Sequence, residues 1–158
     1  MTQPNYQLAQ INIGRILARL DEPSMAEFVA NLDRINSLAE AAPGFVWRLQ
    51  GDDGHATSLR PYDEMVIVNM SVWESPEALR DYAFRGDHVA IMRKRKLWFA
   101  KFDGVYTALW WVPTGHRPSV EEAKVRLAHL NANGETAYAF SFKKLFSAPE
   151  NEPQPASL

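Results

Sequence analysis

Segments with strand-like and helix-like patterns alternate along the chain in the order β-α-β-β-α-β, and one further α-β pair follows. The strand-like segments alternate in polarity or are rich in β-branched residues, and they cover residues 6–14, 45–50, 64–73, 105–112 and 137–142. The first six elements predict a ferredoxin-like α+β fold, in which helices pack on one face of an antiparallel sheet. The added C-terminal αβ unit is expected to extend the sheet or to fill part of its open face. A second copy of the chain is another expected cover for that face.

Capping patterns indicate where the helices begin. Ser24–Glu27 and Ser119–Glu122 are both Ser-x-x-Glu capping boxes, in which each side chain satisfies a free backbone N–H at the helix start. Ser75 precedes a proline at the first helical position, which is another favoured start. The helical region after Ser75 is expected to continue to about Phe102, with a break near Gly86. These signals predict three helical regions between the strands.

Length and composition limit the class of protein. With 158 residues, a single domain over residues 1–147 is predicted, and residues 148–158, with three prolines and no apolar periodicity, are typical of a loose tail. The net charge of -2 argues against a nucleic-acid binder, and the absence of cysteine excludes disulfides and thiolate metal sites. No apolar stretch reaches the roughly 20 residues of a membrane helix, and no export signal is recognisable. A cytoplasmic protein without a membrane or nucleic-acid partner is therefore expected.

Two of the predicted strands carry polar residues on one face only. In the third strand, Asn69 and Ser71 share a face with Trp73, whereas the opposite face is purely apolar and is expected to meet the helices. In the first strand, Gln10 and Asn12 share a face in the same way. Buried amides cost free energy unless they are hydrogen-bonded. This face therefore lines a wet or ligand-filled cavity, or its amides pair with one another or with solvent.

The second half of the long helical region carries a stripe of candidate site residues. His88, Arg95 and Phe99 recur there at near-helical spacing, together with Met92. His88 is a candidate base, hydrogen-bond partner or iron ligand, although a capping role at a helix start fits its position at least as well. The basic run Arg93–Lys96 would be spread around a helix and is therefore interpreted as a solvated face.

Trp110 and His116 are two further candidates in the C-terminal third. Trp110 and Trp111 point to opposite faces of the fourth strand, so one is expected in the core, and the other could wall a pocket for a flat apolar ligand. His116 precedes a capped helix, where a local hydrogen bond within the turn is preferred over a catalytic role. No metal site is predicted, because no group of residues has the spacing of known metal ligands. Phosphate-loop and nucleophile-elbow motifs are also absent from the sequence.

Several stretches of the chain carry a resemblance to known families. Trp73–Leu79, followed by His88, resembles the signature of antibiotic-biosynthesis-monooxygenase-like domains, which are dimeric α/β barrels. More specifically, nearly the whole chain resembles the family called domain of unknown function 3291, through Pro43–Gln50 (PGFVWRLQ), Val72–Leu79 (VWESPEAL), the His88–Phe99 helix and Leu109–Leu127 (LWWVPTGHRPSVEEAKVRL). The resemblance implies a ferredoxin-like homodimer, and it implies no settled activity.

Related oxygenases that use no cofactor deprotonate an aromatic substrate, and the resulting anion reacts with oxygen. By resemblance, Asn69 and Trp73 match an Asn and a Trp that share one strand in those enzymes. Arg95 would stabilise the anionic substrate and His88 would move the proton. The implied function is a monooxygenase-like reaction on a flat aromatic or quinol-like molecule, with His88, Asn69 and Arg95 as catalytic residues. The substrate-binding candidates are Asn12, Trp73, Trp110, Phe99 and His116.

Two alternatives to an enzyme without a cofactor remain. The haem-degrading branch of the same superfamily has a first-strand Asn and a helix His, which Asn12 and His88 match, but Ala78 stands where its helix Trp is expected. Haem binding with His88 as ligand is the first alternative. A non-catalytic module that binds a small apolar or aromatic molecule is the second. No cofactor is predicted for the leading interpretation.

Overall fold

The protein is built on one four-stranded antiparallel sheet. The computed structural model describes residues 5–51, 59–84, 89–90, 93–101 and 104–149. The strands are β1 (Tyr6–Arg15), β2 (Phe45–Arg48), β3 (Val66–Trp73) and β4 (Thr107–Pro113). The helices are α1 (Ala26–Ala41), α2 (Pro76–Phe84), α3 (Arg95–Trp98) and α4 (Val120–Asn133), and the 3-10 turn Pro23–Met25 leads into α1. The strand order β2-β3-β1-β4 with antiparallel pairing confirms the predicted ferredoxin-like fold.

The two faces of the sheet are buried by different helices. On the apolar face, Ile11, Met70 and Trp110 belong to one core cluster with Leu127 and Leu130 of α4. The opposite face, called the mixed face below, lies against α1, α2 and α3. Register and alternation place on it Leu8, Gln10, Asn12, Gly14, Ile67, Asn69, Ser71, Trp73, Thr107, Leu109 and Trp111. The apolar face was expected to meet the helices in general, but among the helices that the structure describes it packs against α4 alone.

The position of α4 bears on the predicted dimer. In the described part of the chain, α4 covers the apolar face, where Ile11 and Met70 are at most 1% exposed. A dimer that pairs two sheets through this face would need α4 to move away. The homodimer therefore stays a prediction. None of the helices among the described residues is long and apolar enough to cross a membrane.

The predicted last strand, residues 137–142, does not form. The structure has an isolated bridge there, in which Leu109 and Phe140 exchange backbone hydrogen bonds of 2.7 and 2.9 Å. Turns on both sides explain the short pairing, because the Thr136 hydroxyl accepts hydrogen bonds from two backbone N–H groups and the Ser141 hydroxyl accepts one. Phe140 is nevertheless fully buried and packs with the mixed face. Most of the predicted tail, residues 150–158, lies outside the described residues.

The helical region predicted after Ser75 is shorter in the structure. The start is as predicted, because the Ser75 hydroxyl accepts a backbone hydrogen bond of 3.1 Å at the beginning of α2. However, α3 ends at Trp98, and Phe99 is extended and bridges Ile16. The expected helix end near residue 102 is therefore wrong, since pairing with the chain after β1 ends the helix first. Gly86, where a break was predicted, lies outside the described residues.

One of the two predicted capping boxes caps its helix. Ser119 is the N-cap of α4, and its hydroxyl accepts a hydrogen bond of 3.1 Å from the N–H of Glu122. Around Ser24, a 3-10 turn begins at Pro23 instead, and Met25 is the N-cap of α1 without a side-chain hydrogen bond. Proline is pre-organised for the first position of such a turn. Ser24 consequently lies inside the turn and does not cap α1.

The turn at Gly44 brings the start of β2 close to α2. Its φ of +86° favours glycine, and a Cβ atom at this position would lie 2.5 Å from the Cβ of Ala78. Gly44→Ala is expected to lower the free energy of unfolding by about 2–3 kcal/mol, because backbone strain and overpacking add. Gly115→Ala is the matched control: its φ is +91° with nothing within 4 Å, and a loss of about 1 kcal/mol is expected. Urea unfolding measures both, and equal losses would contradict the close contact with α2.

Candidate functional site

A cavity of about 860 Å³ lies between the mixed face and the helices that cover it. Cavities of this size typically hold small-molecule ligands. Five of the predicted site residues line it, namely Asn12, Asn69, Trp73, Arg95 and Phe99. The structure therefore brings residues from β1, β3, α3 and the chain after α3 to one place.

The floor of the cavity is a network of amide and hydroxyl groups centred on Gln10. The Nε2 group of Gln10 donates to Asn69 Oδ1 at 2.7 Å and to Ser71 Oγ at 2.8 Å. Gln10 Oε1 accepts from Asn12 Nδ2 at 3.3 Å, and Trp73 Nε1 donates to Ser71 Oγ at 2.8 Å. Gln10 and Ser71 are buried, so the network satisfies polar groups that would otherwise destabilise the fold. The mixed-face amides thus pair with one another and also line a cavity.

Asn12 and Asn69 are the members of this network that face open space. They are direct cross-strand partners, and both residues are exposed. The network uses Asn69 Oδ1 and Asn12 Nδ2, so within the described structure Asn69 Nδ2 remains as a donor and Asn12 Oδ1 as an acceptor. A neighbouring donor and acceptor can together hold a hydroxyl group, and the donor alone can hold a phenolate or carbonyl oxygen.

Aromatic side chains form the walls of the cavity. Trp73 stacks on Tyr82 of α2 with ring centroids 5.1 Å apart, and Phe28 of α1 contacts Phe99 edge to face at 5.3 Å. Tyr82 donates to the backbone carbonyl of Ile35 at 3.2 Å, and burial raises the pKa of Tyr82 to about 12. Tyr82 is therefore neutral at physiological pH and serves as a wall. Such walls favour flat apolar rings.

Arg95 brings a positive charge to the cavity. Its guanidinium lies over the rings of Phe99 and Tyr106, 5.4 and 5.2 Å from their centroids. It forms no ion pair with any other described residue. Aromatic faces hold the guanidinium without using its hydrogen-bond donors, so these donors are available to an anionic oxygen.

Trp110 and His116 do not line this cavity. Trp110 is fully buried on the apolar face beneath α4, and its Nε1 donates to Glu122 Oε2 at 3.0 Å. His116 Nε2 lies 2.7 Å from Glu122 Oε1, which is the local hydrogen bond preferred for this residue. Strand alternation instead directs Trp111 to the mixed face, where it donates to the backbone carbonyl of Phe146 at 2.9 Å. Trp110 is therefore a core residue here and does not wall this cavity.

The carboxylate of Glu122 is expected to make the fold sensitive to acid. Burial raises the pKa of Glu122, but hydrogen bonds from His116 and Trp110, together with electrostatic attraction to His116 and Arg126, outweigh burial and hold this pKa below its usual value. A carboxyl whose pKa is lowered by folding stabilises the protein above its unfolded pKa, and the contribution is lost as the pH falls through the folded pKa. Glu122→Gln is thus expected to cost stability near neutral pH and to cost less as the pH falls below the usual pKa of a glutamate.

Urea unfolding at several pH values measures the cost of Glu122→Gln. Glu121→Gln, an exposed neighbour on α4, is the matched control and is expected to show a smaller change. A cost for Glu122→Gln that stays constant with pH would contradict the assigned cause.

His88 and Met92 lie outside the described residues. The predicted roles of His88 as proton carrier or haem ligand consequently stay predictions. Among the residues that the structure does describe, no group of three or more histidine, aspartate or glutamate side chains is arranged to hold a metal ion.

The cavity also has lining residues that the sequence did not single out. Tyr82 is one of them. It follows buried Leu79 by three residues, and this helical spacing would have predicted that both side chains lie on the inner side of α2. Glu135, Ser141 and Phe142 are others. They belong to the segment after α4, where a regular strand was predicted and turns are found. In turns, the directions of side chains cannot be predicted from a periodic pattern.

The topology and the cavity define an α+β protein of the ferredoxin-like class with a ligand-sized space between its sheet and its helices. Residues 7–156 match the family model described as Domain of unknown function (DUF3291). The chain belongs to this family, as its resemblance implied. No curated protein matches the chain.

Three solved structures illustrate the likeness in fold. PA3566 from Pseudomonas aeruginosa is 12% identical with a TM-score of 0.48, over 75% of this chain and 100% of its own. SnoaB from Streptomyces nogalater, described as a cofactor-independent oxygenase, is 15% identical with a TM-score of 0.44, over 74% of this chain and 98% of its own. A dabb family protein with a ferredoxin-like fold from Mesorhizobium loti is 14% identical with a TM-score of 0.41, over 72% of this chain and 98% of its own. These likenesses concern the fold alone.

Proposed function

We propose that the protein binds a small, flat aromatic molecule in the cavity and oxidises it with molecular oxygen and without a cofactor. One observation carries the proposal: Asn69 Nδ2 is available as a donor and Asn12 Oδ1 as an acceptor on the floor of the cavity, and Trp73 and Phe99 line the same cavity. Apolar walls with a few convergent polar groups are typical of small-molecule sites. The resemblance to monooxygenase-like domains supplies the class of reaction, by analogy.

The proposed substrate is a phenol or quinol whose reacting ring carbon carries two hydrogens in the keto form. Loss of a proton gives an anion that is delocalised over the ring and its oxygen. The anion reduces oxygen and combines with it to form a hydroperoxide at that carbon, and loss of water leaves a carbonyl. The carbon loses two hydrogens and gains one oxygen atom, and the other oxygen atom leaves as water. The substrate supplies all four electrons, so no further reductant is needed.

The residues of the cavity have distinct roles in this scheme. Asn69 Nδ2 and the Arg95 guanidinium would stabilise the anionic oxygen, since fixed donors aimed at a developing charge lower the barrier. Trp73 and Phe99 would hold the ring. His88 is the predicted proton carrier.

Oxygen consumption and dissociation constants, measured with a panel of quinol-like compounds, test the proposal. Asn69→Ala is expected to weaken binding of the anion or to slow turnover by about tenfold or more, since a hydrogen bond to a charged group contributes about 1.5–3 kcal/mol. Asn31→Ala on α1 is the matched control, because Asn31 does not line the cavity, and it is expected to behave as the wild type.

The other outcomes separate the alternatives. Tight binding without oxygen consumption would favour the non-catalytic module. Visible haem absorbance that is lost in His88→Ala would favour the haem protein. Failure to bind any compound of the panel would contradict the proposed function.

A further inference from the structure

Glu135 is a carboxylate that is held in place in the segment directly after α4. Glu135 directly follows Gly134, the C-cap of α4. Gly134 has a φ of +76°, and its N–H donates to the carbonyl of Leu130 at 2.9 Å. The Ser141 hydroxyl donates to Glu135 Oε1 at 2.8 Å and accepts from the N–H of Lys143 at 3.1 Å. The C-cap of α4 therefore fixes the backbone next to Glu135, and the hydrogen bond from Ser141 fixes one oxygen of its carboxylate.

The second oxygen of Glu135 has no such contact. Oε2 is buried and has no hydrogen-bond partner in the described part of the chain. A buried carboxylate oxygen without a partner destabilises a folded protein, unless a bound molecule supplies the missing donor. Glu135 and Ser141 line the same cavity as Asn12 and Asn69. A donor group on a molecule in that cavity is the partner that fits.

We infer that Glu135 Oε2 accepts a hydrogen bond from a neutral hydroxyl group of the ligand. This inference rests on the proposed function and adds a substrate class to it: an aromatic molecule with a second hydroxyl besides the oxygen that ionises. Arg95 favours an anionic oxygen, whereas Glu135 disfavours one because like charges repel. Arg95 comes from α3 and Glu135 from the segment after α4, and the two form no ion pair with each other. The two preferences therefore act at separate points of the cavity.

The test compares two ligands in two proteins by isothermal titration calorimetry. A dihydroxynaphthalene carries two hydroxyl donors, and its monomethyl ether has lost one of them. The wild type is expected to bind the diol about tenfold more tightly than the ether, as expected for a hydrogen bond to a charged acceptor. Glu135→Gln keeps an oxygen for Ser141 but presents an NH₂ group in place of Oε2, so the preference for the diol is expected to disappear.

Thermal unfolding without ligand gives a second measurement. Glu135→Gln is expected to raise the unfolding midpoint, because it removes a carboxylate whose buried oxygen Oε2 has no hydrogen-bond donor. A lower midpoint with an unchanged preference for the diol would overturn the inference, since Glu135 would then only hold the turn at Ser141. Glu121→Gln, exposed and outside the cavity, is the control; it is expected to leave the preference for the diol unchanged and to change the midpoint only slightly.

The two proposals fail in different ways. If the wild type binds the diol and the ether equally, the inference about Glu135 is wrong and the proposed function stands. If the wild type binds neither compound, both are contradicted.

Discussion

Replacing Trp110 with alanine is expected to lower the free energy of unfolding by about 3–5 kcal/mol, because large buried side chains leave cavities that the core cannot close. Trp110 is fully buried between β4 and α4, in one cluster with Ile11, Met70 and Leu127. Its removal also takes a hydrogen-bond donor from Glu122 Oε2. Urea unfolding at neutral pH measures the loss.

Two further variants separate the causes of this loss. Trp110→Phe keeps most of the ring but loses the Nε1–H donor, so a smaller loss of about 1–2 kcal/mol is expected. Trp111→Ala changes a half-buried tryptophan on the mixed face and is expected to cost less than Trp110→Ala. Ligand binding by folded Trp110→Phe is expected to match the wild type, because Trp110 lies across the sheet from the cavity. Weaker binding by this variant would contradict that placement.

The order of the elements up to α4 was predictable from the sequence, because each of them carries its own local signal. β3 is rich in β-branched residues, and Ser75 and Ser119 accept the capping hydrogen bonds that their positions predicted. Local signals of this kind agree with the global fold in natural proteins. Ser24 shows their limit, because a neighbouring proline favoured a 3-10 turn over a capped start.

The assignment of helices to sheet faces was not readable in the same way. Alternation along β1 and β3 shows which residues share a face, but it does not show what covers that face. α4 lies on the purely apolar face, whereas α1 and α2 lie over the mixed face. Only tertiary packing decides between two faces that both contain large apolar side chains.

The site residues that lie on strands could be predicted from the sequence. Those that lie in turns and other irregular segments could not. Asn12 and Asn69 were found because they interrupt apolar patterns, although their direct pairing follows from the register of β1 and β3. The need for glycine at position 14 is clear only from the position of Phe99, since a Cβ at Gly14 would lie 2.7 Å from that ring. Glu135 lies in a turn, where no period indicates which way a side chain points.

Stability and binding are connected through Gln10. Its buried amide holds Asn69 through Oδ1 and Asn12 through Nδ2, and this leaves the two remaining amide groups in fixed orientations. Groups that are oriented before a ligand arrives lose less entropy when they bind it. The same network therefore satisfies the buried polar groups of the sheet and orients the exposed amide groups of Asn12 and Asn69 for a ligand.

Arg95→Met is expected to weaken binding of an ionised phenol by about ten- to a hundredfold, because the guanidinium contributes a hydrogen bond to a charged oxygen. Methionine keeps an unbranched apolar side chain beside Phe99 and Tyr106, so the walls of the cavity are largely retained. The comparison ligand is the methyl ether of the same phenol, which cannot ionise. Its dissociation constant is expected to change by less than about threefold, since it presents no anion to Arg95. Calorimetric titration of both compounds gives the two ratios.

Lys96→Met is the matched control for the charge on α3. Lys96 is the next residue along the helix, but it is exposed and does not line the cavity. If general attraction by the basic run Arg93–Lys96 caused the preference for an anion, the two substitutions would weaken binding alike, and added salt would abolish the preference. If Arg95 acts through direct hydrogen bonds, only Arg95→Met lowers the affinity, and the preference largely survives salt because partly buried pairs are screened less. Equal effects of the two substitutions would therefore contradict the role proposed for Arg95.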